Sequence, residues 1–181
     1  MLNPRRTTLL LASLALLGPA AQACAQEQKP QPSQAASVSQ DIHTTRVTVT
    51  YYRPVARGRA LYGNIVKWGE EWTPGANRAT YVDLSADVRV EGQTLPAGSY
   101  SIWLIPRESS AWTVIFSKKW DMYHLPYPEG EEVLRLGVLP EEGSHMEALA
   151  IYFPEIEGYQ ATMRIHWGST IIPVRLEAVE R

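Results

Sequence analysis

The chain has 181 residues, 45% hydrophobic and 20% charged, the composition of one ordinary globular domain, which excludes disorder throughout. Lysine and arginine number 17 against 19 aspartates and glutamates, a formal charge of -2, too even a balance for a general nucleic-acid binder held by phosphate charge. Six Trp and nine Tyr stand against two Phe, so most rings carry a polar edge as well as an apolar face.

The first 25 residues read as a signal peptide. Arg5 and Arg6 precede an apolar run from Leu9 to Leu17, followed by Gly18-Pro19 and small residues at Ala21, Ala23 and Ala25, the charged, apolar and cleavage-site layout of a secretory leader. The run is far shorter than the roughly 20 residues that span a bilayer, and no later segment comes closer, so no transmembrane segment is expected. Cleavage after Ala23 or Ala25 satisfies the small-x-small rule. A lipid anchor on Cys24 is the competing fate, but Ala21-Gln22-Ala23 lacks the large aliphatic residue of a lipobox. The expectation is export to the periplasm or beyond, leaving a chain with a formal charge of about -4. Cys24 is the only cysteine, so disulfides, thiolate metal sites and a cysteine nucleophile are not expected in the folded part.

Residues 26–43 are Gln, Pro, Ser and Ala without apolar periodicity and read as a tether, with the folded unit, 44–181, starting near Thr44. Arg46 to Tyr52 then alternates, placing Val47, Val49 and Tyr51 on one face, the pattern of a half-buried strand. Further strands are expected at 80–84, 87–90, 99–106, 111–117, 133–139, 146–153, 159–167 and 171–179, separated by Gly, Pro, Ser or acidic turns. No convincing amphipathic helix follows the leader, beyond a short helical turn near Gly63 to Glu71. The expected fold is all-β, a single antiparallel sandwich, with a jelly-roll-like arrangement or a barrel as the alternative. Val47, Val49, Ile102, Leu104, Val114, Phe116, Leu134, Leu136, Ile151, Phe153, Ile165, Trp167, Val174 and Leu176 are the expected core.

Two stretches do not read as strand. Arg53 to Ala79 is long for a connection between strands, and such loops are often functional. It carries Arg53, Arg57, Arg59, Lys67 and Arg78 against Glu70 and Glu71, about +3 where the rest of the exported chain is about -7. That asymmetry points to an anionic or strongly hydrogen-bonding ligand; the alternative is that these arginines staple the loop to the sandwich. Within it, Gly75 allows close backbone approach, Asn77 either caps the turn or offers an amide, and Trp68 and Trp72 would share one face if the segment is helical. Arg53, Arg59, Trp72 and Asn77 are therefore the candidate ligand-binding residues, with core packing and turn capping as the alternative roles. The second stretch, Lys118 to Glu132, is rich in aromatics and prolines and would wall a cleft or cover a sheet edge.

R-P-x-x-R-G-R at Arg53 to Arg59, G-x-x-V-x-x-G at Gly63 to Gly69, W-T-P-G-A-N-R-A-T at Trp72 to Thr80 and V-E-G-Q-T-L-P-A-G-S-Y-S at Val90 to Ser101 occur in order. Together with W-T-V-I-F-S-K from Trp112, they resemble the bacterial family called domain of unknown function 2911, over about residues 38 to 179. The resemblance implies an exported all-β protein and no established activity; Pro74 departs from the family pattern in the G-A-N loop.

Catalytic motifs are absent: no G-x-S-x-G, H-E-x-x-H, P-loop or G-x-G-x-x-G occurs. His43, His124, His145 and His166 lie on separate elements without ligand spacing, so neither metal nor cofactor is expected. His166 alternates with Met163, Ile165 and Trp167 and reads as part of a solvated strand face, while Glu129, Glu131, Glu132, Glu141 and Glu142 read as exposed turns. Three functions stay open: a small-ligand-binding domain for an anion or glycan, an envelope structural or interaction protein, and an extracytoplasmic enzyme. The first is the expected one.

Overall fold

A computed structural model describes residues 32–180; the leader, its cleavage sites and Cys24 lie outside the described residues. Ten strands follow in order: β1 (Gln34–Ile42), β2 (Thr45–Arg53), β3 (Tyr81–Leu84), β4 (Val88–Val90), β5 (Gln93–Leu95), β6 (Gly98–Ile105), β7 (Trp112–Ser117), β8 (Glu132–Val138), β9 (Glu141–Glu157) and β10 (Gln160–Ala178). They make two antiparallel sheets, six-stranded in the order β1-β2-β3-β6-β7-β8 and four-stranded in the order β5-β4-β10-β9. Both sheets are open, so the sandwich forms and the barrel alternative does not.

Period-two alternation sets what each strand buries. In β2 the buried positions are Val47, Val49 and Tyr51, and the antiparallel register sets Val47 opposite Leu84 and Val49 opposite Val82. In β6 and β7, Ile102 faces Phe116 and Leu104 faces Val114. These cross-strand pairs line the space between the sheets. Every expected core residue is buried except Phe153, which is half-buried against the same cluster.

β6 breaks the one-sided rule, because its other face is covered as well. Trp103 and Ile105 join Ile115 and Ala79 in a second cluster, closed from outside by Met122 and Tyr127. The indole Nε1 of Trp103 donates to Ser101 Oγ at 2.9 Å, and that hydroxyl donates to the Lys119 carbonyl at 2.9 Å. The Lys118 to Glu132 stretch, read as a cleft wall or an edge cover, thus covers a sheet face.

Four sequence expectations need correction. The tether does not run to residue 43: Gln34–Ile42 is a strand paired along its length with β2. Among its inward positions Ala36, Val38, Gln40 and Ile42, the small Ala36 and the polar Gln40 mask the alternation that Val38 and Ile42 keep. The Gly63 to Glu71 segment holds turns and no helix. The two strands read at 159–167 and 171–179 are one, β10, and Glu141 and Glu142 open β9 where a turn was expected. Finally, His166 is buried: it shares the outward face of Arg164, but Ser144 and Tyr152 of β9 cover its ring.

Bulges lie at His166/Gly168 and Gly168/Thr170 in the β9–β10 ladder. Before them the buried residues are Ala161, Met163, Ile165 and Trp167; after them, Ile172, Val174, Leu176 and Ala178. At each of these breaks β9 advances four residues against two of β10, and the inward parity of β10 changes across Gly168, so alternation cannot be read straight through. Gly168 sits at the inversion with φ +60, and a Cβ there would stand 2.9 Å from Leu61 Cδ1. Gly168→Ala should therefore destabilise by about 1–2 kcal/mol from backbone handedness alone, seen as a melting temperature several degrees lower. An unchanged melting curve would show that the bulge does not depend on this glycine.

Candidate functional site

The long loop after β2 is fastened at three places. Ala56 N donates to the Glu147 carbonyl at 2.8 Å and Leu149 N to the Pro54 carbonyl at 3.0 Å, so residues 54–56 run as a short extra strand along β9. Trp72 and Leu104 exchange both main-chain bonds, at 2.8 and 2.7 Å, extending the place of β3 beside β6. Arg78 bridges to Tyr123 in the covering stretch. Between these points, Ala56, Leu61 and Val66 enter the main core.

The candidate residues serve these attachments. Arg53 Nε donates to the Leu149 carbonyl at 2.9 Å. Arg59 closes its own turn, with Nε donating to the Ala56 carbonyl at 2.9 Å and Nη2 to the Val55 carbonyl at 2.7 Å. Trp72 stacks on Trp167, centroids 6.0 Å apart, and the Trp167 Nε1 donates to the Glu147 carbonyl at 3.3 Å. Arg53, Arg59 and Trp72 thus meet along one seam with β9, where their polar groups and rings face main chain and core. Asn77 lies apart, at φ 62. Its amide donates to the Ser33 carbonyl at 3.2 Å, and its own carbonyl accepts the His124 main-chain N–H at 3.0 Å. His124 Nδ1 lies 2.8 Å from that same carbonyl, which makes Nδ1 the protonated ring nitrogen.

Trp68 and Trp72 meet through a third ring, without the helix that would have aligned them. Tyr62 stacks on Trp68 at 6.0 Å, meets Trp72 edge-on at 6.4 Å and Trp112 at 5.0 Å. Burial pushes its phenol far above the ordinary range, and its hydroxyl donates to the Trp167 carbonyl at 3.3 Å. The rings form an apolar plug under the loop, and only Trp68 remains substantially open to solvent.

His166, assigned from sequence to a solvated face, is locked between two partners. Its Nε2 lies 3.0 Å from the Ser144 carbonyl and must carry the proton; Nδ1 is then left to accept from the Tyr152 hydroxyl at 3.1 Å. Among the described residues no group of three or more His, Cys, Asp or Glu is placed to hold a metal.

One open concavity lies on the outer face of the four-stranded sheet; a separate cleft of about 450 Å³ is lined by Met122, Tyr123, Leu125, Pro126 and Tyr127 of the covering stretch. On the sheet face, four adjoining clefts of about 440, 510, 280 and 120 Å³ share lining residues and join into one groove. The outward positions of β10 form its floor: Gln160, Thr162, Arg164, Arg175 and Glu177. Arg164 Nη2 lies 3.1 Å from Glu155 and 3.4 Å from Glu141, Arg175 Nη2 3.0 Å from Glu91, and Arg89 Nη1 2.8 Å from Glu177. Tyr159, stacked on His43 with centroids 4.4 Å apart, borders one end. Arg53, Arg59, Trp72 and Asn77 line none of these clefts. Sequence reading missed the groove because its residues come from separate strands and each looks like an ordinary exposed charge.

These features belong to a β-sandwich with a stapled loop and a polar sheet-face groove. The family model described as "Protein of unknown function (DUF2911)" matches residues 33–176, and the chain belongs to that family. No curated protein and no solved structure matches it.

The seam has a pH dependence of known sign. Glu147 accepts the Arg57 main-chain N–H at 2.6 Å and lies 2.9 Å from His145 Nε2. The His145 contact chiefly, then the Arg57 bond and the Arg59 charge, hold its carboxyl below the usual 4.5. A depressed carboxyl contributes above its unfolded value and loses that contribution as pH falls through the folded one. Hydrogen-exchange protection factors of residues 54–59, corrected for the intrinsic rate at each pH, should therefore fall as pH drops below 4.5, more steeply than in Glu147→Gln. Equal profiles in the two proteins would dissociate the seam from this carboxylate.

Proposed function

We propose that this chain is an exported small-ligand-binding module whose ligand is a glycan seated in the groove on the outer face of the four-stranded sheet. The observation that carries this reading is the row of Arg–Glu pairs along β4, β9 and β10. Each guanidinium is held by a carboxylate, so donors and acceptors alternate in fixed positions before any ligand arrives. A sugar hydroxyl both donates and accepts, and an array offering both at short spacing suits it. The charge favours a glycan over an anion: Arg89, Arg164 and Arg175 face Glu91, Glu141, Glu155, Glu157, Glu177 and Glu180, a negative excess that repels phosphate or sulfate. The Tyr159 ring offers a half-open apolar face against which a sugar ring can pack.

Export follows from the leader-like first 25 residues. Intact-mass measurement on the envelope fraction should find a chain beginning at Cys24 or Gln26; an uncleaved leader or a diacylglycerol adduct would refute this route.

The structural-protein reading has one observation in its favour: Arg53 and Arg59 spend donors on main-chain carbonyls, as staples do. Calorimetric titration separates the readings. Neutral oligosaccharides should bind and sulfated counterparts should bind less well. Arg175→Ala should weaken binding about tenfold, the worth of a charge-assisted hydrogen bond near 1.5 kcal/mol, with the melting temperature kept. If Arg59→Ala abolishes binding and Arg175→Ala does not, the ligand sits on the loop. If no glycan, nucleotide or organic anion shifts the melting temperature, the structural reading stands.

A further inference from the structure

We infer that β1 is an interaction edge for a second copy of this chain, the two β1 strands pairing antiparallel across a two-fold axis near Ser37. The two sheets have four edge strands, β1, β8, β5 and β9, and exposed edges are normally shortened, charged, interrupted by proline or covered. Three of the four follow that rule. β5 has three residues. β9 is covered at its centre by residues 54–56 and carries Pro154 and five glutamates. β8 presents Glu132 and Arg135 as a charged pair.

β1 follows none of these devices. It is nine residues long, and from Ala35 to Gln40 it contains no charge and no proline. Over that run its main chain pairs with β2 alone among the described residues. Every second residue of an antiparallel edge therefore turns its N–H and C=O outward. The inward side chains Ala36 and Val38 pack on the core yet stay half-buried, because no strand among the described residues covers their far side.

The occupant follows from symmetry and charge. Two identical strands running antiparallel bring position 37 against itself and set positions 36 and 38 opposite one another, an isologous contact that closes on itself. With small uncharged side chains throughout, the pairing meets no like-charge contact in this run. Asp41, the one charge in the strand, is already neutralised by Arg46, whose Nε lies 2.8 Å away. The two six-stranded sheets would then continue into each other.

Sedimentation equilibrium on the chain from Gln26 onward, which contains every described strand, tests this over about a hundredfold range of concentration. A monomer–dimer equilibrium is expected. Ser37→Lys, which sets two cations face to face, should raise the dissociation constant at least tenfold while keeping the melting temperature of the monomer. Ser37→Cys should form a disulfide-linked dimer on mild oxidation, since directly opposed strand positions lie within disulfide reach and residues 26–181 contain no other cysteine. A protein that is monomeric throughout overturns the inference. So does a dimer insensitive to Ser37→Lys and uncrosslinked at Ser37→Cys. Dimerisation that appears only when the chain starts at Pro32 would assign the edge to the chain's own preceding segment instead.

Discussion

Everything in this fold turns on a mismatch of widths: a six-stranded sheet has to bury its inner face against a four-stranded one. Apolar surface left uncovered costs about 25 cal/mol per Å², and a narrower partner sheet leaves a margin bare. The long loop after β2 supplies the missing cover. Ala56, Leu61 and Val66 drop into the main core, and Tyr62 and Trp72 pack beside Trp112 and Trp167. Its arginines then satisfy carbonyls along the margin that would otherwise lack partners. The length of the loop is thereby explained by packing, and the roles of Arg53 and Arg59 by main-chain satisfaction.

The proposed recognition surface lies apart from that loop. In the groove each arginine is tied to a glutamate, and the pairs lie on regular strands whose inner faces are anchored in the core. Exposed ion pairs add little stability, so their value here is geometric: they keep long side chains from wandering. A surface ordered in advance spends less entropy on binding. One guanidinium donor, Arg164 Nε, is buried beneath this surface with no partner among the described residues, a local cost that the flanking carboxylates offset in part.

The fold was legible wherever one face of a strand is apolar and the other is not. β2, β7 and the inward half of β8 declare themselves through Val47 and Val49, Val114 and Phe116, and Leu134 and Leu136. Legibility failed for two physical reasons. β1 sits at an edge, where half-burial is enough and Ala, Ser and Gln serve as well as Val; it therefore looked like a tether. β10 changes phase at Gly168, so its alternation cannot be followed through, and His166, counted onto the solvent side, lies under Ser144 and Tyr152 of β9. The candidate site was read from charge density, which does not distinguish a guanidinium facing a ligand from one facing a carbonyl. Arg53 and Arg59 are of the second kind at the atoms that bond, and nothing in the sequence marks Arg175 or Arg89 as different from any other surface arginine.

β6 occupies a singular place, with the sandwich core on one side of it and the Trp103 cluster on the other. From Tyr100 to Ile105 every residue is buried. A typical strand in a two-layer protein has a permissive side on which sequence drifts freely; this one has none. Related chains should therefore diverge least along Y-S-I-W-L-I, and paired replacements that restore volume on one side would still have to respect the other. The strand fixes the spacing between the two hydrophobic compartments, one on each of its faces.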